Sequence, residues 1–119
     1  MPMDRKCLKE YVGEILAFRF VRRPCAEDIC ASLDDVSKIE LGRLRLWDFT
    51  CGLDLASEDI QKIVDYANTL QIRPGKAAIV APQDLAFGLS RVYAAYREDK
   101  RIQLGIFRSE SEAVAWLTK

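Results

Sequence analysis

The sequence predicts a single α/β domain over residues 1–119, with one mixed, mostly parallel sheet and the element order ββαβαβαβα. Three observations lead there. Runs with strand composition alternate with segments whose apolar residues recur at i, i+3, i+4 and i+7. The run Ala77-Ala78-Ile79-Val80-Ala81 is apolar without alternation, as expected of a strand covered on both faces. Two extended runs flank Gly13 with no helix between them, whereas the later strands are each separated by one helix. The first pair is therefore an antiparallel hairpin, and the others pair in parallel through right-handed crossovers.

Residues 3–11 and 14–22 form the hairpin around Val12-Gly13-Glu14, and Ile15, Leu16, Ala17, Phe18, Phe20 and Val21 make its second run rich in strand formers. Pro24 suits a first helical turn, and Ala26, Ile29, Cys30 and Leu33 carry one apolar stripe. This helix is expected to fade at Asp34-Asp35, because acids oppose the negative end of a helix. Residues 43–49 alternate through Arg43, Leu44, Arg45 and Leu46 into Trp47-Asp48-Phe49. Ser57 with Glu58 and Asp59 reads as a hydroxyl cap plus a first turn of acids, followed by the stripe Ile60, Ile63, Val64, Ala67 and Leu70. Pro74-Gly75 ends that unit and the 76–81 strand follows. Pro82-Gln83-Asp84 opens a helix over 84–97 whose expected inner face is Leu85, Leu89, Val92, Tyr93 and Tyr96. Ile102, Leu104 and Ile106 alternate along a 101–107 strand. Ser109 and Glu112 form a capping box for a last helix that turns Ala113, Trp116 and Leu117 inward.

The 18 Lys and Arg residues balance 18 Asp and Glu, so the chain lacks the overall positive field of a nucleic-acid binder, and no nucleic-acid partner is expected. The absence of histidine excludes Ser-His-Asp and Cys-His triads, His-ligated metals and imidazole acid–base chemistry. Cys7, Cys25, Cys30 and Cys51 lack CxxC spacing and are expected as reduced core residues, with Cys25 and Cys30 at least half buried. The first residues carry no secretory pattern and no run reaches the roughly 18–20 apolar residues of a membrane span, so a cytoplasmic protein without an integral membrane segment is expected. Neither GxGxxG nor GxxxxGK[ST] occurs, and no cofactor is expected.

Ligands of open parallel sheets bind beyond the carboxyl ends of the strands. That rim collects Asp48, Ser57, Asp84 and Ser109, with Arg91 two turns along its helix, and helix N-termini there could hold an anion. Each of these residues equally serves as a cap for its own helix or loop. Asp48 and Asp84 alone are too few for a metal site. Cys51 beside Gly52 is the most plausible reactive thiol, although no histidine exists to activate it and only a helix N-terminus or a nearby arginine could lower its pKa. Gly88 inside a helix costs up to about 1 kcal/mol relative to alanine, which points to close packing against the sheet or a partner, ahead of ligand approach. Arg19, Arg22, Arg23, Arg43 and Arg45 could form one basic patch, or a charged sheet edge that resists edge-to-edge pairing.

Three stretches carry a family resemblance: Leu46-Trp47-Asp48; Ala78 to Tyr93 through Pro82-Gln83-Asp84 and Phe87-Gly88; and Gly105-Ile106-Phe107-Arg108-Ser109 leading to Ala115-Trp116-Leu117. With the element order, the chain resembles the bacterial SpoIIAA-like (STAS-like, STAS/SEC14) family of small proteins. That resemblance implies a superhelix of β-α turns shared with anti-sigma-factor antagonists and transporter STAS domains. Such modules bind proteins, some bind nucleotides or lipids, and catalysis is not typical of them. The antagonists carry a phosphorylatable serine in an Asp-Ser-Ser-Gly loop, and Ser57 stands at that place, where this chain reads Leu55-Ala56-Ser57-Glu58.

The expected function is a non-enzymatic regulatory module that binds a protein partner. The alternative is a small-ligand or lipid-binding protein using the rim, which an open apolar cavity with Arg91 at its mouth would favour. Helices that all wind with one hand leave one sheet face poorly covered, unless the N-terminal hairpin covers it. A homodimer through that face or its edge is therefore expected.

Overall fold

The computed structural model describes residues 7–38 and 43–119, so the start of the first predicted run, residues 3–6, lies outside the described residues. The elements are β1 (Cys7–Val12), β2 (Ile15–Phe20), α1 (Ala26–Ser37), β3 (Leu44–Asp48), α2 (Ser57–Thr69), β4 (Gly75–Val80), α3 (Asp84–Tyr96), β5 (Ile102–Phe107) and α4 (Glu110–Leu117). The five strands lie in sequence order, with β1 antiparallel to β2 and every later pair parallel. This is the α/β class and element order that the patterning predicts.

Each element has a local cause. Gly13, with φ 62°, supplies the left-handed residue of the tight β1–β2 turn. Gly75 lets β4 start against β3, since a Cβ there would lie 2.1 Å from the Arg43 carbonyl oxygen. The Asp28 and Asp59 carboxylates accept from the backbone N–H groups of Cys25 and Ala56 and so close the first turns of α1 and α2. Ser109 accepts from the Glu112 N–H at 3.3 Å and caps α4, as its spacing implies.

The sheet has a core on each face. On one face Phe18, Trp47, Phe20 and Phe49 stack across β2 and β3, under α1 and α2, with Ala77 and Ile79 of β4 in the same core. On the other, Ile15, Ala17, Leu46, Ala78 and Val80 pack with Ala113 and Leu117 of α4. Burial of β4 from Ala77 to Val80 thus comes from helices on both sides. Neither bareness nor the hairpin accounts for the second face, because α4 covers it. A right-handed crossover constrains a helix between two parallel strands, and among the described residues no strand follows α4.

Other expectations change. Helix α1 continues through Asp34-Asp35 to Ser37, because Asp34 pairs with Lys38 and accepts from the Tyr66 hydroxyl while Asp35 pairs with Lys9. The five arginines do not form one patch: Arg45 is buried beneath the helices, Arg19 is tied into the rim, and Arg43 precedes the opposite end of the sheet. Cys25 is exposed at the N-terminus of α1, while Cys30 is half-buried as expected. Among the described residues, no helix is long and apolar enough to cross a membrane.

Candidate functional site

Three arrangements bear on function: the rim, the outward face of α3, and a cavity behind α3.

At the rim, Asp48 is buried. Its Oδ2 accepts from Arg19 at 2.9 Å and its Oδ1 from the Thr50 N–H at 2.9 Å. Arg19 also grips Glu110 at 2.6 and 3.1 Å and bonds Glu10, and these bonds raise its pKa, the one to Glu110 most. Asp84 accepts from Arg108 at 2.7 Å, and that guanidinium also donates to the Pro82 carbonyl and lies 4.3 Å from the Phe87 ring. The rim thus holds Asp48 and Asp84 in two separate arginine clusters: Arg19 forms a lock between β1, β3 and the start of α4, Arg108 braces the start of α3, and Ser109 caps α4 without bonding either arginine.

Ser57 stands apart from this lock. It is exposed at the first position of α2, and the cap that its hydroxyl was expected to provide is supplied by Asp59. Cys51 is half-buried, and desolvation raises its pKa, which favours the neutral thiol over the thiolate.

Helix α3 buries Ala86 and Ser90, with Tyr93 and Arg97 continuing that side. Of the predicted inner face, Leu89 and Tyr93 do pack toward the core, while Leu85, Val92 and Tyr96 are turned outward because the buried side is centred on Ala86 and Ser90. Leu85, Val92 and Tyr96 are 54%, 43% and 58% exposed, and Leu89 is half-buried at their margin. Gly88 and Arg91 are exposed too, and a Cβ on Gly88 would meet nothing within 4 Å, so the glycine packs against nothing in its own chain. Two adjacent stripes compete on this helix, and small Ala86 and Ser90 let it approach the sheet more closely than leucines would.

Behind α3 lies a cavity of about 60 Å³ under α2 and α3, walled mainly by apolar side chains such as Trp47, Ile79 and Leu89. It also contains two arginines that are 3% and 5% exposed, Arg45 and Arg97. Arg45 donates to the Arg73 carbonyl at 3.0 Å, and burial pushes its pKa down. Arg97 donates to Asn68 Oδ1 at 2.6 Å, and Asn68 also accepts from the Glu98 N–H and donates to the Tyr96 carbonyl, which ties the ends of α2 and α3 together. Desolvation raises the Tyr93 phenol, against the opposing pull of Arg97. Arg91, whose place at a cavity mouth would have favoured the ligand-binding alternative, is exposed and does not line this cavity. Sequence reasoning missed Arg97 altogether and placed Arg45 on the surface. The signal for Arg45 was its alternation with Trp47 and Phe49, which puts all three on one face of β3.

Neither a scan against protein-family models nor comparisons with curated proteins and with solved structures finds a match to this chain.

Proposed function

We propose that this protein is a non-enzymatic interaction module of the anti-sigma-factor-antagonist type, and that it docks a second copy of itself on the outward face of α3. The observation that carries the proposal is the stripe Leu85, Val92 and Tyr96, large apolar side chains left uncovered along one helix face. Self-association fits its pattern. In an antiparallel pair of α3 helices related by a twofold axis, Leu85 meets Tyr96 of the other copy, a contact made twice, and Val92 lies close to the axis. Gly88 leaves open space for close approach, antiparallel helix dipoles attract, and the zero net charge adds no repulsion. The 13-residue helix is ~20 Å long and offers on the order of half the ~800 Å² that each partner of a standard interface buries, so the dimer is weak and reversible. Free cysteines suit a cytoplasmic setting. An enzyme finds little support, since the candidate acids Asp48 and Asp84 bond to arginines and burial disfavours the Cys51 thiolate.

Sedimentation velocity from micromolar to millimolar protein tests this. The mass should rise from 13.5 kDa toward twice that value. Val92→Asp should hold the protein monomeric with unchanged folding stability, and Leu8→Asp on β1 should leave association intact. A monomer throughout the range, or association lost in Leu8→Asp and retained in Val92→Asp, would overturn the proposal.

A further inference from the structure

The free edge of β5 is a second surface, apart from the stripe on α3. In a parallel ladder each residue sends its N–H and C=O to the same side, and successive residues alternate. The Arg101 and Phe107 carbonyls accept from the Gly75 and Ala81 N–H groups at 3.3 and 2.8 Å, so the odd-numbered residues of β5 face β4. Leu104 and Ile106 therefore turn their N–H and C=O away from the sheet, where no described residue bonds them. Edge strands are commonly guarded by charge or proline. On the opposite edge β1 carries Lys9 and Glu10, whereas Ile102-Gln103-Leu104-Gly105-Ile106-Phe107 has neither guard.

Both sides of this edge are apolar. Leu104 and Ile106 are half-buried in the core on the α3 side. On the α4 side the Phe107 ring folds back over Gly105, where a Cβ would come within 2.7 Å of it, and its centroid lies 5.5 Å from that of Trp116. An added strand thus finds apolar contacts for its side chains on either face. Charge distinguishes the two ends. The start of β5 opens onto a groove of about 790 Å³, where Arg43, Lys76, Arg101 and Lys119 meet one acid, Glu14, among the described lining residues. Asp99 offsets Arg101, while Lys76 donates to the neutral Trp116 carbonyl at 3.2 Å. At the far end Arg108 is paired with Asp84, and Glu112 stands in the first turn of α4. An antiparallel strand brings its C-terminal end to the basic groove. A second copy of β5 paired in this way would set its own Arg108 there, against like charge.

We propose that the β5 edge binds an extended segment of another protein by antiparallel strand addition, with uncharged residues along Leu104 to Phe107 and an acidic C-terminal end beside Lys76 and Arg101. The site is independent of self-docking through α3. The six residues of β5 span ~20 Å, and so small a contact makes the complex transient.

The probe is the synthetic peptide acetyl-Thr-Val-Thr-Val-Glu-Glu with a free carboxylate, read by amide hydrogen exchange of the ¹⁵N-labelled protein. In the free protein Gln103 and Gly105 should exchange slowly, held by β4, and Leu104 and Ile106 fast. Peptide at about ten times its half-saturating concentration should slow Leu104 and Ile106 roughly tenfold. The same peptide ending in Lys-Lys amide should leave them unchanged. N-methylation of its two threonines and of its two valines should differ, one set abolishing binding and the other retaining it. Leu104→Pro removes an N–H that β4 does not use and should abolish binding. Arg101→Glu, on an exposed side chain, should fold and lose most of the protection, which retains the test if the proline variant fails to fold. Val92→Asp should bind as the wild type does. No slowing at Leu104 and Ile106, equal slowing by the lysine peptide, undiminished binding by Arg101→Glu, or loss of binding in Val92→Asp would each overturn the proposal. So would equal binding of the two N-methylated peptides, or slowing that grows with protein concentration alone, as a second copy on the edge would give.

Discussion

Replacing Leu117 with alanine should destabilise the protein by about 3–4 kcal/mol, because α4 covers the second sheet face over β3, β4 and β5. Leu117 is 2% exposed and shares its core with Leu46, Ala78 and Val80. The substitution removes three carbons, ~2.4 kcal/mol at ~0.8 kcal/mol each, and the unfilled space adds to that loss. With an unfolding entropy of ~2.1 cal/mol/K per residue, the 119-residue chain should lose about 12–16 °C in Tm. Urea unfolding followed by tryptophan fluorescence and by far-UV circular dichroism measures it, and Trp116 on α4 reports any local detachment ahead of Trp47 in the other core. Leu85→Ala deletes the same carbons from the exposed face of α3 and should stay within ~0.5 kcal/mol of wild type in the monomer. A cost below about 1 kcal/mol for Leu117→Ala would refute the reasoning. Leu46 and Val80 would then be covered by something other than α4, and a dimer through the sheet would be the explanation to pursue.

Gly88→Ala should stabilise the monomer by up to about 1 kcal/mol, since its Cβ meets nothing, and should weaken self-association if two α3 helices pack there; paired denaturation and sedimentation measurements separate the effects. Native-state thiol labelling with mass-spectrometric mapping should modify exposed Cys25 first, ahead of half-buried Cys7, Cys30 and Cys51. Desolvation raises the pKa of Cys7, Cys30, Cys51 and Tyr93 in the folded state, so their contribution to stability is complete below about pH 9, the unfolded thiol value, and is lost as pH rises through the raised folded values. Chemical denaturation between pH 7 and 11 should show that decline, and Tyr93→Phe should make the fall above pH 10 shallower.

Local patterns were enough for the architecture. The unalternating 77–81 run announces a doubly covered strand, Gly13 announces the hairpin, and Ser109 with Glu112 announces the last helix, because each signal acts within a few residues of the chain. The rim was legible as a set of residues at strand ends, while the ion pairs that join them were not, because Arg19 and Glu110 lie 91 positions apart. Which side of the sheet α4 covers was undetermined, since the handedness of crossovers is silent about a helix with no strand after it. The face that α3 buries was undetermined too: Leu85-Leu89-Val92-Tyr96 is the more apolar stripe, yet Ala86 and Ser90 allow the closer approach, and only packing against neighbours chooses between them. Arg45 and Arg97 stand 52 positions apart in the chain and line one cavity only because α2, α3 and β3 converge there, so that charge became visible in the tertiary structure alone.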